Sequence, residues 1–339
     1  MANLRVVGFS NPYEFLEAVK GNDDSFMNFP LGALMDSMDE QQIRVRNITE
    51  DSRTLVGVYD GDALVLALVK VVGDFAWVLG CPGDSEPVGP NAKTAISLLV
   101  SFLPSIIDPK LFDNLFGPES LVDAFIDAWV SGMTARGLRI EALPTFFRSK
   151  ASFATLATLP LPSLVLSKYR IELASPDNVE ILAHLYTGFS GSGPNAASIG
   201  EARVKMDMSI QLREIWVCRE QGEIAGYIAT GRTTFRTVAI RNLYVSPRHR
   251  RKGVAEAMTV AVMRYFLGAQ PLGFGGAPDG PPTKGIKEEI CLNVAEEHVQ
   301  RLYKRCGFLL GEGSRDPTTG KKGWFASAFR GVRFLDELE

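Results

Sequence analysis

The chain has 339 residues, 46% of them hydrophobic, and a formal net charge of −3. Such a chain can bury a substantial core, and its length predicts two domains. The slightly acidic balance argues against a general nucleic-acid binder, no apolar run approaches the ~18 residues of a membrane span, and four widely spaced cysteines with three scattered histidines outline neither a disulfide framework nor a zinc site.

In chain order, Ser10 and Asn11 are good capping residues ahead of a helix over 12–19, and a second helix is predicted over 29–38. Two apolar runs, 54–59 and 63–72, flank Asp60-Gly61-Asp62, a strong hairpin signal. A strand over 75–79 follows, then a loop rich in Gly and Pro up to Ala92, in which Asp84 and Glu86 would repel phosphate. Helices are expected over 93–103 and over 120–133, the latter with Leu121, Phe125, Ala128 and Trp129 on one face.

The apolar stretch 157–166, with Pro160 and Pro162, reads as an extended crossover strand. Then the order helix, helix, hairpin, strand, loop, helix returns. Helices are predicted over 182–189 and 199–212, a hairpin over 215–219 and 224–229 about Gln221-Gly222-Glu223, a strand over 237–245 and a helix after Gly253. The two hairpins lie close to half a chain apart, which points to a long-period duplication rather than a solenoid. The segment 188–193 lacks Gly-x-Ser-x-Gly and reads as a helix–helix loop, not a nucleophile elbow. The segment from Gly268 to Gly285, with six glycines and four prolines, reads as a long, flexible, exposed insertion without the spacing of a dinucleotide fingerprint. A strand over 289–294 and a helix over 295–305, stopped by Gly307, complete the pattern. His184, His249 and His298 are expected at the surface.

The chain is organised around 241–267. Pro247 ends the strand; Arg248, His249, Arg250, Arg251, Lys252 and Gly253 form a basic turn; and Val254, Ala257, Met258, Ala261, Val262, Tyr265 and Phe266 recur at helical spacing with one buried face. A helix starting on such a turn offers unpartnered N–H groups and the positive end of its dipole to a phosphate. Gly253 suits a close backbone approach that a Cβ would block.

In this context Arg250-x-x-Gly253-x-Ala255 resembles the acetyl-CoA signature of the GNAT superfamily of acyl-CoA N-acyltransferases. Leu302-Tyr303-Lys304-Arg305-Cys306-Gly307-Phe308 resembles that family's second motif, with Glu296 and Val299 where the family prefers Asn and Ala. The resemblance implies an α/β (α+β) protein of two tandem GNAT-like domains, each a mixed, mostly antiparallel twisted sheet flanked by helices. The first, 1–165, would be a degenerate unit shaping the acceptor cleft; the second, 166–339, would be the catalytic N-acetyltransferase domain.

Carried over, the family's pantetheine pairs with the backbone of Leu243, Tyr244 and Val245, and its pyrophosphate rests on Arg250, Arg251, Lys252, Gly253, Val254 and Ala255. Tyr303 would protonate the leaving thiolate, as suits a phenol neutral at pH 7, or else anchor its helix by packing. The backbone N–H of Val245 would hold the thioester oxygen. The implied co-substrate is acetyl-CoA, and the acceptor a small-molecule amine or a peptide or protein amine, attacked directly in a ternary complex with no metal. Neither nucleic acid nor membrane is expected as a partner, and a cytoplasmic monomer or homodimer is. Strand 237–245 lacks the glutamate several acetyltransferases keep there, so Glu214, Glu223, a water chain or an already neutral amine stand as alternatives for the base. The competing expectation is a non-catalytic acyl-CoA-binding or interaction protein.

Overall fold

A computed structural model describes residues 3–44, 53–71, 76–83, 90–161, 168–191, 196–271 and 273–335. The chain forms two compact units, Met1–Ala151 with Trp324–Glu339, and Ser152–Gly323. The sequence division at 165/166 is therefore not where the units part: the second begins at Ser152, and the last strand of the chain belongs to the first.

The elements run β1 (Leu4–Phe9), α1 (Pro12–Ala18), α2 (Asn28–Arg44), β2 (Thr54–Asp60), β3 (Ala63–Lys70), β4 (Trp77–Gly80), α3 (Pro90–Phe102), β5 (Asn114–Pro118), α4 (Glu119–Ala135), β6 (Ile140–Ala142) and β7 (Phe147–Ala154). They continue with β8 (Arg170–Leu173), α5 (Val179–Ser190), α6 (Ile199–Gln211), β9 (Ile215–Glu220), β10 (Glu223–Gly231), β11 (Thr237–Val245), α7 (Val254–Phe266), β12 (Glu289–Val294), α8 (Glu297–Arg305) and β13 (Trp324–Phe334). The order β-α-α-β-β-β-α-β-α from β1 to α4 returns from β8 to α8, so the duplication read from the two hairpins is present element by element.

In the first unit the strand order is β1-β2-β3-β4-β5-β13, with only β4 and β5 parallel among these neighbours. One core, with Trp77, Phe112, Phe125 and Trp129, gathers α3 and α4, and another, with Phe15, Leu31 and Leu34, gathers α1 and α2. In the second unit the order is β8-β9-β10-β11-β12, followed by the end of β7, and the pair β11–β12 is parallel. Both sheets are thus mixed, mostly antiparallel and flanked by helices.

Local chemistry sets the ends. Asn11 accepts the Tyr13 N–H at 2.8 Å to start α1, and Ser198 with Glu201 forms a capping box on α6. Gly61 and Gly222 turn the two hairpins with positive φ.

Three expectations change. Helix α7 buries nearly its whole circumference, Val254 and Ala257 through Phe266, rather than one face, because the sheet, β8, α8 and the turn at Phe274–Gly276 surround it. The 268–285 segment is not a free insertion. Ala269 and Ala277 are buried, a Cβ on Gly276 would meet Arg170 Cγ at 2.9 Å, and the buried Lys287 ammonium donates to the carbonyls of Thr234 (2.7 Å) and Lys284 (2.6 Å). Its small residues let it pack closely against β8. The stretch expected as a crossover strand makes a turn at 156–158; residues 162–167 lie outside the described residues, as do Asp84, Glu86 and 192–195. Among the described residues no helix is long and apolar enough to cross a membrane.

Candidate functional site

The predicted strand, basic turn and helix form as one continuous piece of the second unit. Pro247–His249 makes a short 3-10 turn, Arg251 takes φ 61°, and Gly253 caps α7 with φ 89° and ψ 3°. That left-handed conformation suits glycine, since a Cβ there crowds the following carbonyl. The first intrahelical bond runs from Ala257 N–H to the Gly253 carbonyl at 2.9 Å. The N–H groups of Val254, Ala255 and Glu256 therefore point out of the helix start with no intrahelical carbonyl to meet. Arg248, Arg250, Arg251 and Lys252 lie exposed around them.

The turn is anchored from beneath. The Tyr169 hydroxyl donates to the Lys252 carbonyl, and Glu220 lies 3.4 Å from the Lys252 ammonium and 3.5 Å from His249 Nε2. His249 also meets Ser246 Oγ through Nδ1 at 3.0 Å, and its side chain is only 12% exposed. It is therefore a partly buried brace and not the surface residue expected. His184 and His298 are exposed as read.

Above the turn the parallel strands separate. Thr237–Ile240 of β11 pairs with Glu289–Leu292 of β12. The pairing with β10 then skips Arg241, placing Asn242 opposite Ala229 and Ile240 opposite Thr230. Such an extra residue is a β-bulge, which bends its strand. Beyond it Asn242–Val245 stays with β10, and its register with β12 ends.

The register also says which backbone groups face the gap. Ser246 N–H bonds to the Ala225 carbonyl at 2.9 Å, so pairs 246/225 and 244/227 are hydrogen-bonded, and 245/226 and 243/228 are not. Leu243 and Val245 thus turn their N–H and C=O groups away from β10 and toward the gap. Tyr244 spends its own on β10; its ring joins the α5 side, where a Cβ on Gly188 would meet the phenol oxygen at 2.6 Å. Of the three strand residues predicted, two address the gap through the backbone.

Tyr303 shares one buried core with Val254 and Val294, and Leu243 and Val245 pack against that core. It is 7% exposed, its ring lies edge-on to Phe308 at 5.5 Å, and burial pushes its phenol pKa up, so it stays protonated. α8 ends in a Schellman motif: Phe308 N–H donates to the Tyr303 carbonyl (3.0 Å) and Gly307 N–H to that of Lys304 (3.1 Å). The sequence pattern Tyr-x-x-x-Gly-Phe is the signature of that closure.

The other titratable candidates fall elsewhere. Glu214 is buried with Leu212, Trp216, Tyr265 and Phe266, near the C-terminal end of α7, whereas the basic turn is at its N-terminal end. Glu223 is exposed at the hairpin. All four cysteines are buried thiols outside any disulfide, and burial raises Cys218 and Cys306 to about 12, which leaves them poor nucleophiles at neutral pH. Among the described residues no group of His, Cys, Asp and Glu is placed to hold a metal ion. The bulge at Arg241, the Glu220 brace and Tyr169 were not anticipated; only the polar Arg241-Asn242 step inside an apolar strand hinted at the first.

The counterpart strands in the first unit are still in contact one residue past their last pair. Trp77 and Val78 of β4 pair with Leu115 and Phe116 of β5, and a Cβ on Gly117 would meet the Leu79 carbonyl at 2.6 Å. By the hairpin registers Ala67 corresponds to Tyr227, so Gly80 stands at the level of Tyr244, beyond the last β11–β12 pair.

Residues 211–309 match the acetyltransferase (GNAT) domain family. No curated protein matches the chain in sequence. Among solved structures it is similar to a Drosophila protein at 12% identity, with 98% of this chain and 99% of that one covered and a TM-score of 0.53, which shows a shared fold. It is also similar to a GCN5-related N-acetyltransferase from Sphaerobacter thermophilus, at 14% identity over 98% of this chain and 95% of that one, TM-score 0.49. A tandem GNAT protein from the clavulanic acid biosynthesis pathway matches at 12% identity over 98% of each chain, TM-score 0.43.

Proposed function

With residues 211–309 carrying an acetyltransferase (GNAT) domain, we propose that the second unit transfers an acetyl group from acetyl-CoA to an amine. The observation that carries this is the end of the β11–β12 pairing after Ile240, on the strand that leads into a helix start capped by left-handed Gly253. The gap offers backbone N–H and C=O groups of Leu243 and Val245 to an amide-bearing arm. The helix start, with Arg250, Arg251, Lys252, Val254 and Ala255, offers N–H groups and charge to a diphosphate.

Acetyl-CoA supplies the activated acetyl group as a thioester. A neutral amine forms the new C–N bond at the thioester carbon, the C–S bond breaks, the thiolate takes a proton from Tyr303, and the proton released by the amine nitrogen restores the phenol through solvent. N–H groups of Leu243 and Val245 are suited to hold the thioester oxygen as charge builds on it. The buried thiols support direct transfer, without an acyl-cysteine. The first unit, where Gly117 of β5 lies against the Leu79 carbonyl of β4, serves the acceptor side or the architecture. Four buried cysteines held as thiols suit a reducing compartment, so a cytoplasmic enzyme is the reading. A non-catalytic acyl-CoA binder is the second reading, favoured by the absence of a carboxylate on β11 and by the placement of Glu214 beside the C-terminal end of α7.

Thermal unfolding with and without acetyl-CoA tests the proposal. At about a hundred times its Kd the ligand should add roughly 2.7 kcal/mol, a rise of a few degrees. Gly253→Glu should abolish the rise, and free-thiol release with a panel of amines then separates enzyme from binder. No rise in the wild type would sink both readings.

A further inference from the structure

We infer that Arg250 is a specificity-determining residue that couples recognition of the donor's diphosphate to release of the strand edge its thioester arm needs; this rests on the function proposed above. The Val245 carbonyl, turned to the gap by the register, is already occupied: Arg250 Nε donates to it at 3.1 Å. The guanidinium reaches back over the turn and lies 5.4 Å from the centre of the Tyr244 ring. The rest of the turn is held independently of it, by Tyr169 on the Lys252 carbonyl, by Glu220 beside Lys252 and His249, and by the positive φ of Arg251 and Gly253. The Arg250 side chain can leave without undoing the helix start.

Two ligand parts compete for these groups. A diphosphate at the start of α7 offers the guanidinium ionised oxygens, so a pair of opposite charges with fork-like geometry replaces a single bond to a neutral carbonyl. Once Arg250 turns to the diphosphate, the Val245 carbonyl is free to accept an amide N–H from the donor's arm. A pantetheine thioester without phosphate must displace the charged donor from that carbonyl and gives Arg250 nothing in exchange. Arg250 therefore favours nucleotide-bearing thioesters by two additive effects, attraction of the diphosphate and obstruction of arms that lack it. Exposed Arg251 and Arg248 add charge alone.

The test compares binding of acetyl-CoA and phosphate-free S-acetylpantetheine to the full chain in wild type, Arg250→Met and Arg251→Met, with thermal melts to confirm folding. Arg250→Met should weaken acetyl-CoA and strengthen S-acetylpantetheine by about fivefold, near the worth of one hydrogen bond. Arg251→Met should weaken acetyl-CoA without strengthening S-acetylpantetheine. Should Arg250→Met leave S-acetylpantetheine unimproved, as Arg251→Met does, the obstruction is refuted while the acetyl-CoA site stands. Wild type that binds neither compound would instead overturn the functional proposal beneath it.

Discussion

Tyr303 has two jobs available to it, and single substitutions separate them. Its ring packs on Phe308 in the closure of α8, and its phenol is kept neutral by burial. Tyr303→Phe keeps the ring and removes the proton, so kcat should fall by about a hundredfold or more with acetyl-CoA affinity retained. Thiol release and equilibrium binding measured side by side would check this; unchanged kcat would leave Tyr303 as an anchor. Gly307 poses a purely structural question. Its φ is 104°, and a Cβ there would sit 2.3 Å from the Thr158 carbonyl oxygen. Gly307→Ala should cost about 1–3 kcal/mol or more in urea unfolding, since neither the backbone angle nor the carbonyl can yield cheaply. Glycine at this place was legible from the helix-stop pattern; the Thr158 contact, more than a hundred residues back in the chain, was not.

At the level of elements, the turn after α8 shows how a buried charge is held. Asp316 is buried, which by itself raises its pKa, yet N–H groups of Thr319 (2.8 Å) and Thr318 (3.0 Å) and hydroxyls of Thr155 (2.8 Å) and Thr319 (3.0 Å) bring it below the usual value. A carboxylate depressed in the folded state contributes stability above the unfolded value of about 3.9 and loses it as pH falls through the lower folded value. Asp316→Ala should therefore be less stable than wild type at pH 7 by about 1–3 kcal/mol, and the gap should narrow as pH is lowered below 4. Urea midpoints across that range decide it; a gap constant with pH would mean the ionised form is not what the turn holds. Strands β11 and β12 fall where the sequence pattern put them, because each is an apolar run bounded by turn residues. The bulge that parts them is a property of the pair, and no single strand announces it. The short β5 and β8, and β13 with Ser327, Arg330 and Arg333 among its apolar residues, escaped for the same reason: their partners lie far along the chain.

For the molecule as a whole, two units with one element order differ at the feature that matters. In the second, β11 runs on from Ile240 to Val245 beyond its last pair with β12, whereas in the first, β4 runs on only to Gly80 beyond Val78, and Gly117 of β5 lies against the Leu79 carbonyl there. Titration calorimetry should accordingly find one acetyl-CoA bound per chain; two equal sites would contradict a donor site confined to the second unit. By itself the sequence determined the hairpins, the central strand, the basic turn and the helix it starts, and the duplication, because each is written in local periodicity or turn chemistry. Tertiary structure alone decided that β13 completes the first unit, that Leu243 and Val245 rather than Tyr244 face the gap, that His249 is a brace and that the 268–285 segment packs down. Those outcomes depend on pairing register and on contacts between residues distant in the chain, which a local pattern does not encode.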